Sequence, residues 1–225
     1  MSDRDAHEAE GEGGFDTELA RFVLHLRSRG LTEPSLLNAF ERTPRALFLP
    51  ETPSHLLYSN LHLPLPCGEE AIDPATLARH LVLLKLQPGL RVLEIGTGSG
   101  FMAGLLARLG CSVVSLERYL TLVRGAERAL SRLGLHHVEL HQADGLARVD
   151  HLGGFDRLIL NGTVDALPNH VFERLKDGGL ALGARKRSGT CHLMTWHKSA
   201  GRVIEPHDHG ISRLPPLRDG IPAVL

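Results

Sequence analysis

The sequence predicts an α/β fold with a mainly parallel central sheet, helices on both faces, an N-terminal helical extension and antiparallel strands at the C-terminus. Two observations support this prediction. Short apolar segments alternate with helical segments from residue 91 to residue 184, and such alternation is typical of right-handed βαβ units. The first of these strands runs directly into the glycine-rich turn 96–100. Ligands bind this fold class at the carboxyl ends of the strands, where that turn lies.

Length and composition are those of an ordinary globular protein. The chain has 225 residues, of which 42% are hydrophobic and 23% are charged, as is usual for folded domains. A formal net charge of −1 gives no basic surface for nucleic acid or for an anionic membrane. No apolar run approaches the roughly 20 residues that span a bilayer. The polar start of the chain differs from a signal peptide, so we expect a cytoplasmic protein.

The region before residue 91 predicts a tail, three helices and a covering segment. Residues 1–14 are acidic and glycine-rich and predict a disordered tail, whereas 15–225 predict one domain. Apolar side chains at helical spacing predict a helix that starts near Thr17 and stops at Gly30. A second helix is predicted from Glu33 to about Arg42, with Thr32 as its N-cap.

Prolines then interrupt two apolar runs, at 43–50 and at 58–74. Proline removes a backbone donor and fixes φ, so these runs predict an irregular segment. Because the runs are too apolar to remain in water, we expect the segment to cover a ligand. The segment from Pro74 to Lys85 predicts a third helix. Within the single domain, 15–90 thus form the helices and covering segment and 91–225 the ligand-binding core.

The core predicts five strands, three helices between them and a closing hairpin. The strands are predicted at 91–95, 111–116, 138–141, 155–160 and 180–184, the helices at 102–109, 119–133 and 168–175, and the hairpin at 192–197 with 202–205. A turn is predicted at 176–179. The run His207-Asp208-His209 predicts a polar loop rather than a metal site. The three cysteines form no C-x-x-C pair, which argues against a disulfide framework or a zinc site.

The spacing of the glycines indicates which ligand the turn binds. Glycines stand at 96, 98 and 100, but the dinucleotide fingerprint needs its third glycine at position 101, which is Phe101. No Gly-Lys-Ser or Gly-Lys-Thr follows, so a P-loop is also excluded. The E-x-G-x-G-x-G pattern that begins at Glu94 resembles the first motif of Rossmann-like methyltransferases. The resemblance implies a Rossmann-like S-adenosylmethionine-dependent methyltransferase fold, with S-adenosylmethionine as cofactor.

Polar residues at the ends of successive strands are candidates for cofactor contacts. Glu117 lies about 20 residues after the first glycine, where a carboxylate accepts hydrogen bonds from ribose hydroxyls. Asp144 is placed for the adenine edge, although Asp-Gly is also an ordinary turn. Glu94 either accepts hydrogen bonds from loop N–H groups or faces the cationic end of the cofactor. The predicted cofactor-binding residues are Glu94, Gly96, Thr97, Gly98, Ser99, Glu117, Arg118, Asp144, Gly145 and Asn161.

From about residue 19 onward, the chain resembles the protein-L-isoaspartate O-methyltransferase family. The resemblance rests on the runs at 43–50, 92–100, 115–118, 143–145, 155–159 and 175–179, and on Tyr58 followed by Leu63-Pro64. It implies methyl transfer to an isoaspartyl carboxylate of a protein or peptide, as in protein repair. It also implies that Leu63, Pro64, Ile72 and Asp73 lie near the substrate.

The acceptor-side motif departs from the family pattern. The family has Gly-Gln-Thr-Ile-Ser-Gln-Pro where this chain has Gly68-Glu69-Glu70-Ala71-Ile72-Asp73-Pro74, so Glu70 replaces the threonine and Ile72 the serine. Asn60 and Pro66 replace an aspartate and a glycine of the family. If Glu69 and Glu70 face the pocket, they repel an anionic substrate, and we expect this protein to methylate isoaspartyl peptide poorly.

Three functions follow from these observations. A carboxylate acceptor is ionised at neutral pH, so methyl transfer to it needs no general base. A hydroxyl or amine acceptor would need one, and Asp73 or His62 would be the candidate; Asp73 before Pro74 is also a helix N-cap, which we favour. The leading interpretation is methyl transfer to a carboxylate. The alternatives are methyl transfer to another small-molecule or protein acceptor, and a non-catalytic module that binds S-adenosylmethionine.

Overall fold

A computed structural model describes residues 17–148, 152–204 and 206–222 of the chain. The predicted tail at 1–14 therefore lies outside the described residues. The first helix, α1, covers 17–28, and Gly30 follows it with a φ of +84°, as predicted. The second helix, α2 (Pro34–Glu41), has Glu33 at its N-cap with no side-chain cap. The prediction of Thr32 as the cap is wrong because the helix begins one residue later, at the proline whose fixed φ suits the first turn.

The predicted covering segment is irregular, as its prolines require. It consists of three short 3₁₀ turns, at 45–47, 54–56 and 66–68, and two short strands, β1 (Leu63–Pro64) and β2 (Glu70–Ala71). The strands pair antiparallel, with Leu63 opposite Ala71. Buried Leu49, Leu57, Leu63 and Ala71 form a small core of their own. The third helix, α3 (Pro74–Leu83), begins after Asp73, as predicted.

A twisted sheet dominates the rest of the described chain. Its parallel strands are β3 (Arg91–Ile95), β4 (Ser112–Glu117), β5 (Glu139–Gln142), β6 (Phe155–Val164) and β7 (Leu175–Arg187). Antiparallel β8 (Thr190–Ser199), β9 (Arg202–Val203) and β10 (His207–Ile211) complete it. The order is β10-β8-β7-β6-β3-β4-β5, with β9 paired to β8. The predicted α/β fold with a mainly parallel sheet and C-terminal antiparallel strands is confirmed.

The helices of the core follow the predicted ones within one or two residues. They are α4 (Phe101–Arg108), α5 (Leu120–Arg132) and α6 (Asn169–Glu173). The helix α4 lies wholly buried from Phe101 to Ala107 and packs beneath the covering segment. No helix among the described residues is long and apolar enough to cross a membrane.

Three assignments differ most from the sequence prediction. Strand β6 continues four residues past Leu160, because Thr163 and Val164 pair with β7. The predicted turn at 176–179 lies inside β7, where the register shifts between Leu175 and Leu180 so that the four residues bulge out. His207-Asp208-His209 is part of a strand and not a loop, since the run pairs with β8. Among the described residues, no group of three or more His, Cys, Asp or Glu could hold a metal ion.

Candidate functional site

A pocket opens at the carboxyl ends of β3, β4 and β6, where the glycine turn lies. Its floor comes from 95–99, and its sides come from the covering segment, the loop after β4 and the C-terminal segment 215–218. The lining residues that were predicted from the sequence are Gly96, Thr97, Gly98, Ser99, Glu117, Arg118, Gly145, Asn161 and Ile72. Residues of the glycine turn and segments that are distant in the sequence therefore line one cavity.

The glycine turn depends on backbone conformations that side chains resist. Gly96, Gly98 and Gly100 have φ values of +87°, +55° and +87°, in the left-handed region that glycine enters without a steric cost. A Cβ on Gly100 would lie 2.6 Å from the Cβ of Ala126, so this glycine also allows α4 to pack closely on α5. Between these glycines, the turn exposes its main chain to the pocket.

Glu117 ends β4 and lies at the pocket wall. Its Oε2 accepts a hydrogen bond from the N–H of Gly98 at 2.9 Å, and its Oε1 accepts one from the N–H of Tyr119 at 3.1 Å. Burial raises the pKa of this carboxyl, and the backbone donors of Gly98 and Tyr119 lower it in part. Carboxylate oxygens accept more than one hydrogen bond each, so Glu117 can still accept from a ligand hydroxyl.

Glu94 lies directly behind the turn, with no exposed surface. Its Oε2 is 2.5 Å from the Oγ of Ser115, which is in turn 2.5 Å from the Oγ1 of Thr97. Its Oε1 accepts from the Nδ2 of Asn161 at 2.6 Å. The partners are side chains, so the expectation of loop N–H partners is wrong. The pKa of Glu94 is raised to about 8, and burial of the carboxyl is the largest cause.

Asn161, at the pocket wall, connects this network to the ligand side. Its Nδ2 also donates to the carbonyl oxygen of Gly96 at 3.0 Å. Its buried Oδ1 has no hydrogen-bond partner among the described residues, and a buried unpaired acceptor is costly. The amino group of S-adenosylmethionine is a donor that could satisfy such an acceptor. The residues present on this side therefore fit that cofactor.

Asp144 does not line the pocket, although the sequence placed it at the adenine edge. Its Oδ1 accepts from the N–H groups of Leu146 and Ala147 at 2.9 and 3.2 Å, and its Oδ2 accepts from Gly220 at 2.7 Å. This arrangement matches the turn interpretation. The neighbouring Gly145 does line the pocket, and a Cβ there would lie 2.4 Å from Cγ2 of Ile95. The glycine allows this loop to lie against β3.

The covering segment supplies the acidic side of the pocket. Glu69, Glu70 and Ile72 line it, whereas Leu63, Pro64 and Asp73 do not. Asp73 is the N-cap of α3, where its Oδ1 accepts from the N–H of Thr76 at 2.9 Å, as expected. Outside the lining, His62 lies 3.3 Å from Glu70 and 3.8 Å from Asp73. Neither base candidate faces the ligand space.

Sequence reasoning missed two contributions to the pocket. Arg45, from the first 3₁₀ turn, lines it, and so does the C-terminal segment 215–218. The C-terminal segment is fixed to β6, because the N–H of Thr163 donates to Pro215 and the N–H of Leu217 donates to Thr163. The apolar run Leu214-Pro-Pro-Leu217 after a polar hairpin was the available signal for a packed segment.

Comparisons with known proteins agree with this architecture. Residues 18–215 match the family model for protein-L-isoaspartate(D-aspartate) O-methyltransferase. The protein-L-isoaspartate O-methyltransferase of Maricaulis maris (strain MCS10) is 36% identical over 190 residues, which are 84% of this chain and 89% of the relative. That of Rhizobium meliloti (strain 1021) is 39% identical over 183 residues, which are 80% of this chain and 89% of the relative.

A solved structure shares the fold. The crystal structure of a putative protein-L-isoaspartate O-methyltransferase from Plasmodium falciparum, in complex with S-adenosyl-L-homocysteine, superposes with a TM-score of 0.77 at 18% identity. The match covers 89% of this chain and 98% of that one.

Proposed function

The chain belongs to the protein-L-isoaspartate O-methyltransferase family, and on this premise we propose that it transfers a methyl group from S-adenosylmethionine to a carboxylate of a protein or peptide. The observation that carries the proposal is the composition of the pocket. A glycine turn with an acid at the next strand end forms one side, and the described lining of the other side includes Glu69 and Glu70 but neither His62 nor Asp73.

The chain's own residues hold and orient the cofactor in this proposal. The main chain at 96–99 forms the floor on which it lies, and Glu117 accepts hydrogen bonds from its ribose. The unpaired Oδ1 of Asn161 accepts from its amino group. When bound, S-adenosylmethionine supplies an electrophilic methyl group on a sulfonium. Alignment of acceptor, methyl carbon and sulfur accounts for roughly 7–11 kcal/mol of the barrier in well-oriented reactions.

A carboxylate acceptor needs no general base. The acceptor oxygen forms the new bond to the methyl carbon while the carbon–sulfur bond breaks, and its electron pair stays on sulfur. No proton has to leave the acceptor. An amine or hydroxyl would need a base within hydrogen-bond reach. Asp73 is held at the N-terminus of α3 and His62 lies outside the lining, so Glu69 and Glu70 are the carboxylates of the covering segment that could take this role.

The acidic wall of the pocket, formed by Glu69 and Glu70, opposes the family's isoaspartyl group as an acceptor. Glu70 stands where the family has a threonine hydroxyl, and both Glu69 and Glu70 line the pocket. Like charges close together in a partly desolvated site repel each other by more than they do in water. Isoaspartyl peptide should therefore be a slow acceptor for this protein.

Labelled methyl transfer tests the proposal. The purified protein is incubated with methyl-labelled S-adenosylmethionine and either an isoaspartyl peptide or a cell lysate, and the product is treated with mild base. Methyl esters are base-labile, so we expect the label on lysate acceptors to be released. A label that resists base would exclude a carboxylate acceptor.

A double variant tests the acidic wall. Glu70→Thr with Ile72→Ser restores the two hydroxyls of the family, and we expect it to raise the rate on isoaspartyl peptide at least 10-fold. Glu139→Thr, at an exposed position of the edge strand β5, removes one negative charge away from the pocket and should leave the rate unchanged. Equal rates for the wild type and the double variant would refute the argument from charge.

A further inference from the structure

A guanidinium in the pocket wall forms no ion pair with any carboxylate of the described residues. Arg45 is 1% exposed and lines the pocket beside Ile72. Its Nη2 donates to the carbonyl oxygen of Ile72 at 2.8 Å, and its guanidinium carbon lies 5.3 Å from the centre of the Phe101 ring. Its Nε and Nη1 have no hydrogen-bond partner within the described part of the chain. Two donor groups of a buried cation are thus unpaired at the edge of a ligand pocket.

Such an arrangement is costly unless an anion is bound. A buried charge needs a partner and further hydrogen bonds to offset its desolvation. Asp73 is close enough to act on the charge of Arg45, but the two side chains form no ion pair, and the Oδ1 of Asp73 accepts from the N–H of Thr76. Burial lowers the pKa of Arg45 to about 10, so the group is still charged at neutral pH. The planar fork of a guanidinium matches the two oxygens of a carboxylate.

We propose that Arg45 binds the carboxylate of a ligand in this pocket. The inference rests on the proposed function, which supplies two sources of that chemistry: the acceptor and the amino-acid end of the cofactor. Ile72 stands where the family has a serine, and its aliphatic side chain cannot hydrogen-bond the unpaired N–H groups of Arg45. Because Arg45 is almost fully covered, the carboxylate must displace part of the wall to reach it.

Calorimetry with two cofactor probes distinguishes the sources. S-adenosylmethionine carries the carboxylate, and 5′-methylthioadenosine lacks the whole amino-acid end. If Arg45 binds the cofactor, Arg45→Met weakens S-adenosylmethionine about 10- to 100-fold and leaves 5′-methylthioadenosine unchanged. If Arg45 binds the acceptor, both cofactor affinities stay unchanged, and the affinity of isoaspartyl peptide, titrated into protein saturated with S-adenosylhomocysteine, falls by a similar factor.

Two controls separate binding from folding. Arg45→Lys keeps the charge without the fork, so it should fold and recover part of the affinity. Arg157→Met removes an arginine that donates to the carbonyl oxygens of Leu84 and Lys85 near the start of β6, at the other end of the sheet, and should not change any of the three affinities.

These binding measurements test the role of Arg45 whether or not the protein catalyses the proposed reaction. The proposal is wrong if folded Arg45→Met binds all three probes as the wild type does, or if it weakens both cofactor probes equally, since Arg45 then only supports the wall. A lack of methyl transfer to any acceptor would remove the proposed function, while the comparison of the two cofactor probes would still report on Arg45.

Discussion

Replacement of Glu94 by glutamine tests the buried network behind the glycine turn. Glutamine has the shape of a protonated glutamate. Its Oε1 can accept from the Nδ2 of Asn161. The Ser115 hydroxyl, which donates to Glu94 in the wild type, can turn to donate to the Oγ1 of Thr97, so that its Oγ accepts from the new Nε2. The substitution therefore keeps the hydrogen bonds and removes only the titration.

The expected magnitude follows from the pKa of Glu94. Burial raises this pKa from its ordinary value of 4.5 to about 8. Below pH 4.5 the carboxyl is protonated in both states, and its contribution to stability is fully present. As the pH rises toward 8, the unfolded chain releases a proton that the folded chain retains, so stability falls by about 1.4 kcal/mol per pH unit. Over the whole interval the loss is on the order of 5 kcal/mol.

Urea unfolding of both proteins without ligand, at pH 5, 6, 7, 8 and 9, measures this loss. We expect the free energy of unfolding of Glu94→Gln, minus that of the wild type, to rise by about 1.4 kcal/mol per pH unit from pH 5 to pH 8 and then to level off. Glu173→Gln, at a position with a 60% exposed side chain, should show no such slope. A difference between Glu94→Gln and the wild type that is constant with pH would refute the assignment of a raised pKa.

Two further substitutions test the turn and the helix cap. Gly100→Ala places a Cβ 2.6 Å from that of Ala126 at a φ of +87°, and urea unfolding should show a loss of about 2–4 kcal/mol. Gly125→Ala, in α5 with nothing within 4 Å of the new Cβ, should instead gain up to about 1 kcal/mol. Asp73→Ala should cost about 1 kcal/mol because the N–H of Thr76 loses its side-chain acceptor at the start of α3. Asp73→Ser should retain both stability and kcat, and a loss of kcat alone would revive a role for Asp73 as a base.

The fold could be predicted because its determinants are local. The strand from Arg91 to Ile95 has the predicted bounds, since a short apolar run between a turn and a glycine motif leaves little freedom. The same holds for Asp73, whose capping role follows from the proline after it. The run at 207–209 was misassigned because its strand state comes from pairing with β8, a partner at least 12 residues away that polar composition does not reveal.

The pocket residues also fall into two groups, those that local sequence predicts and those that it does not. Gly96, Gly98 and Glu117 could be placed from spacing alone, because a strand, a turn and the next strand fix them relative to one another. Arg45 and the segment 215–218 reach the pocket from opposite ends of the chain, and no local pattern relates them to the turn. Asp144 was placed correctly near the end of β5 but wrongly in the pocket. The N–H of Gly220, in the C-terminal segment, donates to its carboxylate instead.

The two sides of the pocket differ in how freely their residues can change. The cofactor side is held by steric limits that few substitutions satisfy, as the 2.4 Å approach at Gly145 and the 2.6 Å approach at Gly100 show. The acceptor side is built on an irregular segment outside the large sheet, where Glu70 is exposed at the start of the short strand β2 and Ile72 packs on the edge of the main core. Acceptor-side residues can therefore vary while the turn stays constant, so the acceptor has to be argued from Arg45, Glu69 and Glu70 rather than from the glycine motif.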